Sequence, residues 1–224
     1  MKLIEFADRE MMMMDLANVL AGELARMLMH AERASIAVPG GATPAPIFDT
    51  LSAADLDWSR VDVLLTDERW VPEDHRRSNT RLLRRHLLVN RAAAARLIPL
   101  YGGTEVPEES VATLADGVRA ALPLSVVLLG MGVDMHTASL FAGADKLEAA
   151  LSPKAPPLLT MRPREANNPR VTLTAPVING AMSKHLVITG ADKKAALEQA
   201  QKERDVLKAP VKAILSDTTV YWAP

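Results

Sequence analysis

The chain has 224 residues, of which 49% are hydrophobic, and its 26 Lys and Arg nearly balance its 27 Asp and Glu. This length and composition fit one α/β domain over residues 1–224, and the balanced charge argues against nucleic acid or an anionic membrane as a partner. No cysteine occurs, which excludes disulfides, thiol nucleophiles and thiolate metal sites. Because neither a signal peptide nor a run of ~18 apolar residues is visible, we expect a soluble cytoplasmic protein.

The first half of the chain alternates short apolar runs with segments of helical periodicity. Leucines recur every fourth residue from Leu16 to Leu28 and predict a helix over Arg9–Arg33. Thr43 followed by Pro44 predicts a helix start, with the threonine hydroxyl as N-cap and proline at the first helical position. The other predicted elements are strands at Leu3–Phe6, Ile36–Val38 and Val61–Thr66 and a helix around Asn79–Leu88.

The second half continues this alternation around one buried strand. Val126–Leu129 is a continuous apolar run, which is typical of a strand buried on both faces of a parallel sheet. Strands that alternate with helices predict an α/β fold: a doubly wound, mainly parallel sheet flanked by helices, in a Rossmann-like three-layer sandwich. The remaining predictions are helices at Pro107–Ala121 and Asp192–Gln201, strands at Arg170–Thr174, His185–Thr189 and Val220–Trp222, and loops with short structured pieces over 142–169.

Four predicted strands end in turns that carry glycine or acidic residues and lead toward a helix. These turns are Gly40–Thr43, Asp67–Arg69, Gly130–His136 and Gly190–Lys193. The carboxyl ends of parallel strands share one edge of a sheet, and open α/β sheets bind their ligands at that edge. The sequence therefore predicts that the four turns converge on one site.

Two of these turns have features that favour an anion. Gly40, Gly41 and Thr43 offer backbone N–H groups and a hydroxyl at a helix start, which suits a phosphate but is also common in ordinary turns. Lys193 lies in the first turn of a predicted helix, where the helix dipole disfavours a cation by roughly 0.3–1 kcal/mol. A bound anion would reverse that sign, and a solvated lysine offset by Asp192 is the alternative.

His136 is the strongest candidate for a general base among the five histidines. It follows a buried strand directly and lies in a loop that contains glycine. An imidazole ordinarily titrates at about pH 6.5, so it can accept a proton near neutrality. Asp134 is then a candidate to orient the loop or the imidazole, although each residue could instead have a purely structural role.

Several standard motifs are absent, and with them several classes of chemistry. The segment that begins at Gly130 fails the dinucleotide fingerprint because Met135 occupies the third glycine position. No serine-hydrolase elbow, phosphate-binding P-loop or zinc-protease motif occurs. We therefore predict no cofactor and no metal site. The arginines at 81, 84 and 85 form either a phosphate patch or an exposed helix face.

The turns together resemble the 6-phosphogluconolactonase family, which is grouped with the glucosamine-6-phosphate isomerases and deaminases. The similar segments occur in the family's order over about residues 36–195. They are Pro39–Pro44, Thr66–Val71 with Ser78 and Asn79, Gly130–Phe141, Arg170–Thr174 and Gly190–Lys193.

The resemblance implies hydrolysis of 6-phospho-D-glucono-1,5-lactone to 6-phospho-D-gluconate in the oxidative pentose phosphate pathway. It implies that His136 activates the water and that three cations surround the sugar phosphate and the charge that develops in the reaction. The substrate would be a small molecule, with no nucleic acid or membrane partner, and the protein a monomer or small homo-oligomer. The residues assigned are His136, Asp134 and Arg69 for catalysis, and Gly40, Gly41, Thr43, Asp67, Arg170 and Lys193 for substrate binding.

Two residues depart from the family pattern. Met135 replaces a usual glycine; if this position needs a positive φ, the side chain costs roughly 1–2 kcal/mol or shifts the loop and re-aims His136. Ala42 replaces a usual serine and removes one possible phosphate donor. A related isomerase or deaminase would have Asn-Glu-Pro after the histidine, where this chain has Ala138–Phe141. A non-catalytic sugar-phosphate sensor is the other alternative, and the lack of a DNA-binding segment counts against it.

Overall fold

The computed structural model describes residues 1–164 and 168–224, and a seven-stranded sheet forms its centre. Every neighbouring pair in this sheet is parallel, which confirms the predicted doubly wound α/β fold. Strands at the middle of the sheet are almost wholly buried, which explains their uninterrupted apolar sequences. In spatial order the strands are β1 (Lys2–Glu5), β10 (Thr219–Ala223), β9 (Ser183–Thr189), β6 (Val126–Gly130), β2 (Ala34–Val38), β3 (Val61–Leu65) and β5 (Arg96–Ile98).

A second, antiparallel sheet of three strands adjoins the first, and the sequence did not predict it. Its order is β4 (Asp67–Arg69), β8 (Arg170–Leu173) and β7 (Leu158–Met161). The segment Asp67–Arg69 is thus a short strand, whereas the sequence suggested a turn. Only Thr66 separates it from β3, and the backbone of Thr66 bonds to Val38 on β2 and to Leu173 on β8. One residue therefore ties the small sheet to the large one.

Helices flank the sheets, and the longest confirms the predicted leucine periodicity. Leu16, Leu20 and Leu24 have no exposed surface, because their helix packs against β10, β2 and β6. The helix ends at Leu28, earlier than the predicted Arg33. The helices are α1 (Arg9–Leu28), α2 (Ala45–Ser52), α3 (Asn79–His86), α4 (Val111–Arg119), α5 (Leu147–Leu151), α6 (Ala175–Asn179) and α7 (Ala191–Lys202).

The start of α2 differs from the prediction. Pro44 is its N-cap, without a side-chain hydrogen bond, so the expected threonine cap at residue 43 is wrong. Among residues 1–164 and 168–224, no helix has the length and apolar character needed to span a membrane. The region 142–169, predicted as loops with short structured pieces, contains α5 and β7; residues 165–167 lie outside the described part of the chain.

Candidate active site

The carboxyl-terminal edge of the large sheet carries a cleft of about 290 Å³. Residues from all four predicted turns line this cleft, as expected for loops that follow parallel strands. Of the nine predicted site residues, only Asp134 does not line the cleft; it contacts Nδ1 of His136 instead. The eight that line it are Gly40, Gly41, Thr43, Asp67, Arg69, His136, Arg170 and Lys193.

His136 and Asp134 form a close pair in the loop after β6. Asp134 Oδ1 lies 2.5 Å from His136 Nδ1 and also accepts from the backbone N–H of His136 at 3.3 Å. Burial works to raise the pKa of Asp134, but the hydrogen bond and the charge of His136 outweigh it and the pKa is lowered. The carboxylate therefore accepts the proton on Nδ1, and the lone pair of the neutral imidazole lies on Nε2. The His136 side chain is 29% exposed.

Gly132 makes this close pair possible. A Cβ at this position would lie 2.3 Å from Asp134 Oδ1 and 2.3 Å from His136 Nδ1, closer than any stable contact. The loop also folds back on itself, because the N–H of Gly132 donates to the carbonyl of His136 at 3.0 Å. Gly132 is thus needed because the side chains of Asp134 and His136 approach its backbone closely.

Met135 has the strained conformation that its place in the family pattern suggests. Its φ is +64°, in the left-handed region, where a residue with a Cβ costs roughly 1–2 kcal/mol relative to a favoured conformation. Its carbonyl accepts from Val211 N–H at 3.0 Å, which holds the strained turn in place. The methionine side chain packs against the core and does not line the cleft, so it does not narrow the site.

Arg69 and Arg170 are neighbours on two adjacent strands of the small sheet, because β4 and β8 pair with these residues in register. Arg170 is 11% exposed, and its Nη1 lies 3.6 Å from Asp67 Oδ2. Burial lowers the pKa of Arg170, and repulsion from Arg69 and Arg77 acts in the same direction. The Nε atoms of both cleft arginines are buried without an acceptor among the described residues. An anion in the cleft would find two cations whose hydrogen-bonding capacity is not exhausted.

Lys193 is the third cation of the cleft. It lies in the first turn of α7. This helix begins directly after Gly190, whose φ of +87° turns the chain into the helix. Burial lowers the pKa of the Lys193 ammonium. Within the described ranges Lys193 forms no ion pair, and Asp192 is exposed, so an offset of its charge by Asp192 has no support. The position suits an ammonium that meets an anionic ligand.

Sequence reasoning missed Asn79, which connects two of the turns. Its Nδ2 donates to the backbone carbonyl of Asp67 at 2.9 Å, and its Oδ1 accepts from Arg69 Nη1 at 2.7 Å. A Cβ at Gly40 would lie 2.0 Å from Asn79 Oδ1, so the first turn requires glycine there. The only signal in the sequence was the Ser78-Asn79 block, which by itself indicates no more than a helix start.

Glu68 is a second structural support that the sequence did not reveal. It is fully buried and accepts hydrogen bonds from the backbone N–H groups of Arg69, Asn79 and Thr80 at 2.7–2.9 Å. The hydroxyls of Ser78 and Thr80 add two more. Burial raises the pKa of Glu68, although the hydrogen bonds from these donors act to lower it. The carboxyl group satisfies the open N–H groups at the start of α3 and so fixes the strand that bears Arg69.

The arginines at 81, 84 and 85 do not line the cleft. Arg84 instead pairs with Glu73 at 2.9 Å on the surface. The structure thus supports an exposed helix face over a phosphate patch at these positions.

The chain is similar to known proteins over almost its whole length. Residues 7–222 match the family model described as glucosamine-6-phosphate isomerases/6-phosphogluconolactonase. The chain is 44% identical to a 6-phosphogluconolactonase of Rhizobium meliloti, over 93% of each chain, and 41% identical to one of Pseudomonas aeruginosa, over 93% of this chain and 89% of that protein. A crystal structure of a 6-phosphogluconolactonase from Shewanella baltica superimposes with a TM-score of 0.96 at 33% identity, covering 100% of this chain and 97% of the other. The chain therefore belongs to the glucosamine-6-phosphate isomerase/6-phosphogluconolactonase family.

Proposed function

We propose that this protein hydrolyses 6-phospho-D-glucono-1,5-lactone to 6-phospho-D-gluconate in the oxidative pentose phosphate pathway. The similarity to proteins named 6-phosphogluconolactonase supports the substrate. The observation that carries the proposal is the composition of the cleft, in which one imidazole with a free nitrogen shares a cavity with three cations. A lactone that carries a phosphate needs a base for water and positive charge for the phosphate and the oxyanion.

In the first step, His136 acts as a general base. Asp134 holds Nδ1, so Nε2 accepts a proton from water as the water oxygen adds to the lactone carbonyl. The addition produces a tetrahedral oxyanion and an imidazolium, and Asp134 stabilises the positive ring. This arrangement uses the carboxylate to orient the ring and fix its tautomer, without a second proton transfer.

In the second step, the bond between the carbonyl carbon and the ring oxygen breaks. The imidazolium returns its proton to the ring oxygen, which becomes a hydroxyl, and the former carbonyl becomes the carboxylic acid of the product. Arg69, Arg170 and Lys193 are divided between the ester phosphate and the oxyanion. Arg69 is fixed before substrate arrives, because its Nη1 donates to Asn79 Oδ1, so little reorganisation of this cation is needed as charge develops.

Hydrolysis fits the cleft better than sugar-phosphate isomerisation or deamination. Those reactions would need a free carboxylate as base, and Asp67 is the acidic residue that lines the cleft. Asp67 Oδ2 accepts from Ser139 Oγ at 2.5 Å and lies beside Arg170, so its charge is already engaged. We infer that Asp67 positions Arg170 and the loop, and that His136 is the base.

The test measures lactone opening by the purified protein at neutral pH, with the spontaneous rate subtracted. We expect a clear enzymatic rate with the phosphorylated lactone and none for deamination of glucosamine 6-phosphate. No acceleration over buffer would overturn the proposal, and deamination without lactone opening would favour the isomerase/deaminase alternative. A single domain over 1–224, a monomer or small homo-oligomer, a cytoplasmic location and the lack of a cofactor or metal stay predictions from the sequence.

A further inference from the structure

We propose that Phe141 is a positioning residue that aligns the base and one cation of the cleft together; this rests on the proposed function. Phe141 ends the loop that begins at Gly130 and is half-buried. It does not line the cleft, so any effect it has on the reaction must pass through the residues that it touches.

The first of those residues is His136. The two rings are stacked, with centroids 4.1 Å apart and planes inclined by 22°. The hydrogen bond to Asp134 fixes only one corner of the imidazole, which could still tilt about that bond. A flat aromatic surface restricts this tilt, because stacking defines the plane of the ring. The direction of the Nε2 lone pair then depends on Phe141.

The second residue is Arg170, whose Cζ lies 5.2 Å from the centroid of Phe141. Arg170 has weak polar restraint, since Asp67 lies 3.6 Å away and its Nε has no acceptor in the described part of the chain. A guanidinium at this distance from an aromatic face is attracted by the ring's negative face. Phe141 thus orders a cation that is held loosely otherwise.

Contact with both groups gives Phe141 a role that separate residues would not have. The base must face the carbonyl carbon while the cation faces the phosphate or the oxyanion, and a misplacement of about 1 Å in such geometry can cost about 10²-fold in rate. One ring that touches both residues fixes their relative positions. An aliphatic residue of similar size would fill the space but provide no aromatic face.

The experiment compares Phe141→Leu with Phe141→Tyr, which keeps the aromatic face, by kcat, KM and melting temperature. We expect Phe141→Leu to lower kcat/KM about tenfold through both a lower kcat and a higher KM, and Phe141→Tyr to stay within about twofold of the wild type. Phe6→Leu is the matched control, because Phe6 is also half-buried and stacked, on Tyr221 at 6.3 Å, but does not line or contact the cleft.

Phe141→Leu with kcat and KM within about twofold of the wild type would overturn the proposal. So would equal losses in Phe141→Leu and Phe141→Tyr, which would indicate a need for shape alone. If Phe141→Leu shows no cooperative melting, Phe141→Met is the substitute and the same outcomes apply. The wild-type rate separates the two hypotheses: its absence refutes lactone hydrolysis, whereas an active wild type with an unaffected Phe141→Leu refutes only the positioning role.

Discussion

His136 and His185 each have a carboxylate partner, and their surroundings are opposite; a third histidine, His86, pairs with Asp49 at the surface. His136 lies at the carboxyl-terminal edge of the large sheet, with Asp134 on its Nδ1, and it lines a cleft that contains cations. His185 lies on β9 and is 4% exposed; its Nε2 contacts Glu23 at 2.8 Å and Ser183 at 3.0 Å. Its Nδ1 is buried with no partner among the residues described.

The comparison shows that a carboxylate partner alone does not make a histidine a base. A base needs a nitrogen that a water molecule can reach, and His185 has its accessible hydrogen-bonding capacity taken up by the protein. His136 has one nitrogen restrained and one available. The same chemical pair thus serves stability inside the fold and proton transfer at its edge.

The largest expected effect separates the two histidines. His136→Ala should lower kcat by about 10²–10⁴-fold, because the water loses its base. His185→Ala should leave kcat nearly unchanged but destabilise the fold by about 2–4 kcal/mol, since it opens a cavity and leaves Glu23 with only the hydrogen bond from Ser183. Lactone assays and thermal melts of both variants make the measurement. A large kcat loss in His185→Ala at full folding would contradict the division of roles.

The next largest expected effect tests the close contact between His136 and Asp134. Gly132→Ala places a Cβ 2.3 Å from Asp134 Oδ1 and 2.3 Å from His136 Nδ1, so these side chains must move. We expect kcat to fall about 10²-fold, as for a displaced catalytic group. Gly22→Ala on α1 is the control, because its Cβ meets nothing within 4 Å; it should keep kcat and add about 0.5–1 kcal/mol of stability. Full activity in Gly132→Ala would show that the close pair is not required.

Two adjacent lysines test the charge of the cleft. Lys193→Ala should raise KM about tenfold or more, with a smaller effect on kcat, because a half-buried cation is lost from the phosphate's surroundings. Lys194 is the matched control: it pairs with Glu5 at 2.7 Å and lies 4.0 Å from the ring centroid of Trp222, outside the cleft. Lys194→Ala should leave KM within about twofold. Equal KM values in all three proteins would place the phosphate elsewhere.

The smallest expected effect concerns how the pair of Glu23 and His185 makes stability depend on pH. Burial works to raise the pKa of Glu23, but the hydrogen bond and charge of His185 outweigh it and lower the pKa. A lowered carboxyl pKa in the folded state contributes stability above the unfolded value of 4.5, and this stability is lost as the pH falls through the folded pKa. Glu23→Gln should therefore reduce the melting temperature by about 3–6 °C at pH 7, with a difference that shrinks below pH 4.5. A difference that grows on acidification would refute this account.

The sequence predicted six of the seven strands of the large sheet, because buried parallel strands leave a clear apolar pattern, as in Val126–Leu129. It missed the edge strand β5, which has only three residues. It did not predict the small sheet, since the strand Asp67–Arg69 is only three residues long and all three are polar. Its pairing partner on β8 lies about a hundred residues later in the chain. Convergence of the four turns followed from parallel strand order. The supports at Glu68 and Asn79 could not be inferred, because their hydrogen bonds depend on tertiary contacts.

The most direct test of the central claim is a crystal structure with 6-phosphogluconate bound. The account predicts the product carboxylate at about 2.6–3.2 Å from His136 Nε2, with the phosphate bound by cations of the cleft. A product bound outside the cleft, or in it with the carboxylate remote from His136, would contradict the account.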